Sequence, residues 1–376
     1  MSKWNLFKKE ERIEERWILS IDGGGIRGII PSKVLLKLEE LLRENGDNRP
    51  LYSHFDLIAG TSTGGIIAAA LTSPITENTL IKAEEGDEEK VYKTEKRLFH
   101  KPQTIYRGSI PRRGSIEQIK SIYLNNGKDI FEPKMKIFGA LFAEKYNERS
   151  LEYFFHRAFQ SGVMEDLLVP TVIVSFDTMS GSPYLFTSYN EEKEEFIRNA
   201  LRATSAAPMY FSPVKMGNKT LIDGGVVANN PALIAYSEAK KLYPNCKKFH
   251  IVSLSTMSPK LSIDVTEIIG GFAGWAEPIA KIYSYGQYGI TNLALESASD
   301  VEYLRIYKDV KGEKIKLDDI RPESISKLVA RADELIDFKA EELQHIALEL
   351  SKREISKEFP LTKAKALEYN GTKLLS

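Results

Sequence analysis

The sequence has few of the features that mark secreted, membrane-spanning or nucleic-acid-binding proteins. Its single cysteine, Cys246, excludes an intramolecular disulfide and fits a reducing compartment. No apolar run approaches the ~20 residues that a membrane-spanning helix needs, and the first residues, MSKWNLFKKEERIEER, are too charged for a secretory signal. Basic and acidic residues number 52 each, so the excess positive charge of a general DNA- or RNA-binding protein is missing. We therefore expect a cytoplasmic protein that binds neither DNA nor RNA.

The composition is that of an ordinary folded chain, with 42% hydrophobic and 28% charged residues. At about 100–200 residues per domain, 376 residues form one large domain or two modest ones. No linker rich in proline or serine and no internal repeat divides the sequence. We predict a single domain over residues 1–376, with a core that carries the motifs at 17–256 and a helical C-terminal portion from about 260 to 376.

Two strand–turn–helix units follow one another near the start of the chain. The apolar run Trp17–Ile21 stops at a glycine-rich turn, and apolar residues then recur at helical spacing from Ile29. The run Phe55–Ala59 likewise ends in the turn Gly60–Gly65, and an alanine-rich helix follows. This repetition is typical of a parallel sheet covered by helices. We predict a three-layer α/β fold, whose mostly parallel central sheet has helices on both faces. Three later runs fit the same sheet: Val169–Ser175, Lys219–Ile222 and Phe249–Leu254.

Residues Gly60-Thr61-Ser62-Thr63-Gly64 fit the pattern G-x-S-x-G. A serine between a strand and a helix presents its hydroxyl at the carboxyl edge of the sheet, and the glycines tolerate the strained turn. The competing interpretation is a glycine-rich turn that happens to contain a serine. The apolar strand before the motif and the helix after it favour a catalytic function, so Ser62 is the candidate nucleophile.

The first glycine-rich turn, Asp22-Gly-Gly-Gly-Ile-Arg-Gly28, admits two interpretations. Its glycines fit G-x-G-x-x-G, the phosphate-binding loop of dinucleotide-binding proteins. That loop needs an acidic residue about 20 positions on, at the end of the next strand, where this sequence has Ala59-Gly60-Thr61. Alternatively, the amides of Gly24 and Gly25 at a helix N-terminus stabilise an anion that forms during a reaction, as an oxyanion hole does. A nucleotide-binding or regulatory module is therefore the alternative to an enzyme.

A serine nucleophile needs a base, and the histidines are poor candidates. There are five of them: His54, His100, His156, His250 and His345. His54 precedes one predicted strand and His250 begins another, which is the wrong end for a site at the carboxyl edge. His156 and His345 lie in amphipathic helical runs, and His100, in a basic loop, stays open. Asp223 instead ends the predicted strand Lys219–Ile222 at the edge where sites of parallel sheets collect. An Asp-Gly turn is common without any function, but at that edge Asp223 could activate Ser62 directly.

Four motifs together resemble those of the patatin-like phospholipase family and occur in the family's order. They are DGGGIRG at 22–28, GTSTGG at 60–65, ATSAAP at 203–208, and DGG at 223–225 followed by Asn229-Asn230-Pro231. The resemblance implies a catalytic dyad of Ser62 and Asp223, and an oxyanion hole formed by Gly23, Gly24 and Gly25 with Arg27. It also implies hydrolysis of acyl esters of membrane phospholipids, without a metal or other cofactor.

A basic segment at residues 96–120 follows an acidic run at 84–89. The plain interpretation is a solvated insert with paired blocks of charge. The functional one is an anion site, for lipid headgroups or a nucleotide, that includes Arg107, Arg112 and Arg113. With its compact core and charged helical tail, the chain is also similar to bacterial anti-phage effectors switched on by cyclic oligonucleotides. That resemblance implies a cyclic oligonucleotide activator held by these arginines, homo-oligomerisation on activation, and peripheral action at the inner membrane surface.

Overall fold

The computed structural model describes residues 15–73, 92–95, 103–106, 146, 148–257, 271–310 and 315–353. The strands are β1 (Glu15–Ile21), β2 (Leu57–Thr61), β3 (Tyr92–Glu95), β4 (Gln103–Tyr106), β5 (Thr171–Asp177), β6 (Ser182–Thr187), β7 (Val214–Met216), β8 (Lys219–Asp223), β9 (Lys248–Leu254) and β10 (Val301–Ile306). The helices are α1 (Ile29–Glu44), α2 (Thr63–Thr72), α3 (Glu148–Phe159), α4 (Ile197–Thr204), α5 (Gly225–Ala228), α6 (Ala232–Leu242), α7 (Gly271–Ser297), α8 (Pro322–Phe338) and α9 (Ala340–Lys352).

The central sheet has eight strands, in the order β10-β9-β1-β2-β5-β8-β7, and β6 pairs with β5 outside this path. The five strands from β10 to β5 are mutually parallel, whereas β6, β7 and β8 pair antiparallel. The prediction of a mostly parallel α/β sheet is therefore confirmed. Strand β3 pairs with β4 in a separate antiparallel sheet of two strands.

Helices cover both faces of the sheet, as the three-layer prediction requires. Successive residues of a strand point to opposite faces, and in β1 the side chain of Leu19 joins one apolar cluster while that of Ile18 joins the other. The larger cluster lies under α1, α2, α4, α8 and α9. The smaller cluster lies under α6 and α7.

The sequence predicted a helical portion after residue 260, but the structure has a strand there as well as helices. Residues Val301–Ile306 form β10, which extends the sheet next to β9 with Arg305 opposite Ser253. The run VEYLRI mixes charged and apolar residues without strict alternation, and five of its six residues are partly exposed, as befits a strand at the edge of the sheet. Helices α8 and α9 follow it and pack against α1.

One edge of β5 is shared by two strands that run towards each other. Residues 171–174 pair with β2 in parallel, and residues 175–177 pair with β8 antiparallel. Because β6 occupies the other edge along Val172–Asp177, β2 and β8 lie end to end on the remaining one. Their carboxyl ends meet at the adjacent positions Val174 and Ser175, which face Thr61 and Asp223. The expectation that Asp223 ends a parallel strand is thus wrong. The antiparallel strand β8 nevertheless places Asp223 beside Ser62, the residue that follows Thr61.

Within the described part of the chain, no helix combines the length and the apolar character needed to cross a bilayer. The candidate anion-site residues Arg107, Arg112 and Arg113 lie outside the described residues, as does His100.

Candidate active site

Ser62 occupies a strained turn between β2 and α2. Its backbone has φ 54° and ψ −122°, a left-handed conformation that a residue with a side chain rarely adopts. A Cβ atom at Gly60 would lie 2.1 Å from the carbonyl oxygen of Gly64, and one at Gly64 would lie 2.1 Å from that of Ile21. The turn therefore requires glycine on both sides of the serine, which is the physical reason for the G-x-S-x-G pattern.

Neighbouring elements hold the backbone of Ser62 in this conformation. Its N–H donates to the hydroxyl of Thr204 at 2.8 Å, and that hydroxyl donates in turn to the carbonyl of Val174 in β5. The carbonyl of Ser62 accepts from the N–H of Ile66 at 3.1 Å, in the first turn of α2. The serine is thus fixed between the sheet and the N-terminus of a helix, where the helix dipole favours negative charge.

The side chain of Asp223 lies buried beside Ser62, and its carboxyl interacts with the Ser62 hydroxyl, which lowers the pKa of the carboxyl. The N–H of Gly225 also donates to its Oδ1 at 2.7 Å. Burial raises the pKa of the Asp223 carboxyl from 3.8 to about 6, and the Gly225 N–H and the Ser62 hydroxyl work against this shift. A carboxylate with a pKa near the working pH is a better proton acceptor than an ordinary surface aspartate. The backbone of Asp223 is held by the carbonyl of Ala206, at 3.0 Å from its nitrogen.

The glycine-rich turn at 23–25 lies next to the serine. A Cβ atom at Gly23 would be 3.3 Å from the Cβ of Ser62, and one at Gly25 would be 2.3 Å from the carbonyl oxygen of Leu317. Gly25 has φ 56°, so both its conformation and its surroundings demand glycine. The N–H of Gly23 donates to the carbonyl of Asn229 at 2.9 Å and is not free to bind an oxyanion. Among the described residues, the N–H groups of Gly24 and Gly25 have no such backbone partner.

The directions of those two N–H groups are fixed through the carbonyls of the same peptide units. The carbonyl of Gly23 accepts from the hydroxyl of Thr256 at 2.7 Å and from the side-chain amide of Asn229 at 3.1 Å. The carbonyl of Gly24 accepts from the backbone N–H and the Nε of Arg27, both at 3.2 Å. In a planar trans peptide the N–H points opposite to the C=O, so these contacts orient the amides of Gly24 and Gly25. Donors that are oriented before the reaction are what an oxyanion hole needs.

A buried ion pair anchors the start of this turn. The guanidinium of Arg305 donates to both carboxylate oxygens of Asp22, at 2.8 and 2.6 Å, and to the hydroxyl of Ser253 at 2.7 Å. Complete burial raises the pKa of Asp22, and the attraction of Arg305 opposes that shift. Burial alone would lower the pKa of Arg305, but its attraction to Asp22 outweighs burial and raises it. Tyr288 of α7 completes the anchor, since its hydroxyl pairs with the side-chain amide of Asn229.

Sequence reasoning missed the residues that support the site. Thr256 follows the predicted strand that ends at Leu254, so its place at the carboxyl edge could have been read from the strand alone. Asn229 stood within a motif, but its contacts with Gly23 could not be foreseen. Tyr288 and Arg305 lie outside the four motifs, and no pattern in the sequence marks them as residues that support the site.

Two of the histidines have structural contacts away from the serine. His250, at the start of β9, stacks on Trp17 with ring centres 4.4 Å apart and pairs with Glu15 and Glu302. His54 lies buried before β2, against the carbonyl of Leu350, and burial lowers its pKa to about 4. Both stand at the amino ends of their strands, opposite to the edge where Ser62 lies.

Comparison with known proteins assigns the family. The model of the patatin-like phospholipase family matches residues 19–236, more than half of the chain. Patatin-like protein 2 of Arabidopsis thaliana is 31% identical over 85% of this chain and 82% of its own length. Patatin-like protein 1 of Oryza sativa subsp. indica is 33% identical over 64% of this chain and 58% of its own. Patatin-2-Kuras 3 of Solanum tuberosum is 28% identical over 96% and 89%.

The fold and the site define an α/β hydrolytic enzyme with a serine at a strand–helix turn. The chain belongs to the patatin-like phospholipase family, and it is a lipid acyl hydrolase that cleaves carboxylic esters. The alternative of a nucleotide-binding or regulatory module is set aside on this assignment.

Proposed function

We propose that Ser62 and Asp223 form the catalytic dyad of a phospholipase of the A type. The observation that carries this proposal is the interaction of the Ser62 hydroxyl with the buried Asp223 carboxyl, where the carboxyl ends of two opposed strands meet. The strained backbone of Ser62 adds support, because such strain collects at functional sites.

In the first half of the reaction, the hydroxyl oxygen of Ser62 attacks the ester carbonyl while its proton passes to Asp223. The carbonyl oxygen becomes an oxyanion, which the N–H groups of Gly24 and Gly25 bind. The tetrahedral intermediate collapses, the leaving alcohol takes the proton from Asp223, and the acyl group stays on Ser62. In the second half, water gives a proton to Asp223 and attacks the acyl-enzyme. The fatty acid leaves, and the proton returns to Ser62.

The proposed substrates are the acyl esters of membrane phospholipids, attacked at the membrane surface. The acyl ester chemistry follows from the family, and the choice of phospholipid rests on the family's description as phospholipases. The cytoplasmic face of the membrane is a prediction that rests on the sequence, which has one cysteine.

Labelling with a fluorophosphonate probe tests the dyad. We expect the wild-type protein to be modified on Ser62, and Ser62→Ala to be neither labelled nor active on phospholipid. Ser351→Ala in α9 is the matched control, which should be labelled and active like the wild type. Undiminished labelling of Ser62→Ala would overturn the proposal, and so would full activity of Asp223→Asn, which would send the search for the base back to His100.

We also propose that a cyclic oligonucleotide controls the enzyme, with Arg107, Arg112 and Arg113 as its binding residues. The support is the density of basic side chains at 96–120, since guanidinium groups bind phosphate in a bidentate manner. Messenger binding would favour an active, oligomeric state, provided that the messenger binds that state more tightly. Phospholipid hydrolysis with a panel of cyclic di- and trinucleotides tests this. Full activity without any of them, and no stimulation, would refute the switch.

A further inference from the structure

Helix α7 carries a stripe of large apolar side chains that face the solvent. Six of its residues are between 37% and 68% exposed. They recur at spacings of three, four and seven residues, so at 3.6 residues per turn they fall on one side of the helix within a sector of about 100°. We call this set the α7 stripe: Trp275, Ile279, Ile282, Tyr283, Ile290 and Leu293.

The stripe is not the face by which α7 packs on the protein. Thr291 and Leu295 lie on the opposite side of the helix, and both are buried against the fold. Of the charged residues of α7 whose side chains the structure describes, Glu296 falls outside the stripe at helical spacing. A helix at the surface of a globular protein ordinarily turns a polar face outwards. An outward face that is apolar over most of a 27-residue helix indicates a surface that something covers.

The inner face of the same helix contacts the candidate active site. The hydroxyl of Tyr288 pairs with the side chain of Asn229, which holds the Gly23 carbonyl. The side-chain amide of Gln287 donates to the carbonyl of Val226 at 2.7 Å, three residues after Asp223. Since an α-helix with its side chains is about 10–12 Å across, the stripe lies one helix diameter from the catalytic loops.

We propose that the α7 stripe docks the enzyme on the surface of a phospholipid bilayer. This deepens the proposed function and rests on it, because an enzyme that cleaves membrane phospholipids must meet the bilayer close to its catalytic residues. An interfacial helix lies in the plane of the membrane with its apolar side among the headgroups and upper acyl chains. The stripe fits that geometry, since it is long, narrow and free of charge.

A second copy of the chain fits the stripe less well. A stable interface between two proteins buries about 800 Å² on each partner. The stripe offers six side chains, each partly covered already, whereas such an interface uses about 20–30 residues on each side. A bilayer needs no complementary shape, so a single row of apolar side chains suffices for it.

Sedimentation with vesicles tests the docking. The vesicles are made of ether-linked phosphatidylcholine and phosphatidylglycerol, which lack acyl esters and cannot be hydrolysed. We expect the wild-type protein to sediment with them. Ile290→Glu combined with Leu293→Glu should lower the affinity by about tenfold or more, since each change removes an exposed aliphatic side chain that the bilayer would cover and adds a charge. Leu348→Glu is the matched control, an exposed leucine on α9 at the other face of the sheet, and should bind like the wild type.

The fluorescence of Trp275 gives a second readout that needs no charged substitution. In a protein that carries Trp4→Phe, vesicles should shift the emission to shorter wavelength, and Trp275→Phe should remove that shift, because the remaining Trp17 is already buried. Unchanged binding of the double variant, or an equal loss in Leu348→Glu, would overturn the proposal. So would light scattering that shows a wild-type dimer dissociated by the double variant, since a second copy would then cover the stripe. Because no bond is cleaved in these assays, failure of the Ser62–Asp223 dyad leaves their result unaffected.

Discussion

Replacement of Asp223 by asparagine should abolish hydrolysis and, at the same time, stabilise the fold at neutral pH. The wild-type carboxyl is buried, and no cation is among the groups that shift its pKa, so its charged form is disfavoured in the native state. Asparagine has the same shape and keeps an oxygen that accepts from the N–H of Gly225. It is uncharged, so the cost of burying a carboxylate disappears. The variant also lacks the carboxylate that we propose as the proton acceptor for Ser62.

The size of the effect follows from the pKa shift. The pKa of Asp223 is about 6 in the folded protein and 3.8 as the ordinary value. Between these values the folded state binds a proton that the unfolded state has lost, so the free energy of unfolding falls as the pH rises through this window. At 1.36 kcal/mol per pKa unit, the loss is about 3 kcal/mol and is complete above about pH 6. The asparagine variant has no carboxyl at this position and so lacks this loss. All other titrating groups are the same in both proteins, so their contributions to the free energy of unfolding cancel in the comparison.

Urea denaturation of both proteins at about pH 4 and about pH 8 measures the difference. We expect the free energies of unfolding to be similar at the lower pH, and the variant to be more stable by up to about 3 kcal/mol at the higher. An excess of stability that is equal at both pH values would show that the asparagine acts by packing rather than charge. A variant that is less stable than the wild type at the higher pH would refute the reasoning.

Three further predictions concern the same site. The value of kcat/KM should fall as the pH drops below about 6, because protonated Asp223 cannot accept the serine proton, and a pH–rate profile measures this. Gly24→Ala should lower kcat, and it should lower the free energy of unfolding by about 1–3 kcal/mol, because its Cβ would lie 2.5 Å from the hydroxyl oxygen and 2.6 Å from the Cβ of Thr256. Urea denaturation and turnover measurements check this, and a free energy of unfolding equal to that of the wild type would contradict it. Arg305→Met should lower the free energy of unfolding by about 3–5 kcal/mol, because it leaves the buried Asp22 carboxyl without its ion-pair partner. Urea denaturation should show partial recovery when Asp22→Asn is added. A full kcat in Arg305→Met would show that the ion pair does not position the turn.

The sheet and the position of the serine could be predicted because they depend on local patterns. The strand predicted at Trp17–Ile21 is β1, and the helix predicted from Ile29 is α1. The strand predicted at Phe55–Ala59 is β2, which begins and ends two residues later, at Leu57–Thr61, and leads directly into the turn of Ser62. Glycines that permit a strained turn and apolar runs that fill a buried strand act on their immediate neighbours, and a linear pattern records them.

The direction of β8 could not be predicted from its residues. A short apolar run has the same pattern whether its strand is parallel or antiparallel, and the pairing depends on which edge of β5 is free. The argument that brought Asp223 to the site assumed a parallel strand, whereas the contact arises because β8 opposes β2 along β5. Similarly, nothing in the motif at 22–28 indicates that the N–H of Gly23 donates to the carbonyl of Asn229.

The orientation of the two candidate oxyanion donors depends on residues from separate parts of the chain. Arg27 belongs to the glycine motif and orients the amide of Gly25, while Thr256 and Asn229 orient that of Gly24. Asn229 is itself held by Tyr288 of α7, which lies beyond the stretch that the family model matches. A change in α7 can therefore alter the glycine-rich turn without altering any of the four motifs. Since the same helix carries the apolar stripe on its other side, a force applied there by a bilayer would reach the Gly24 amide through only two hydrogen-bonded side chains.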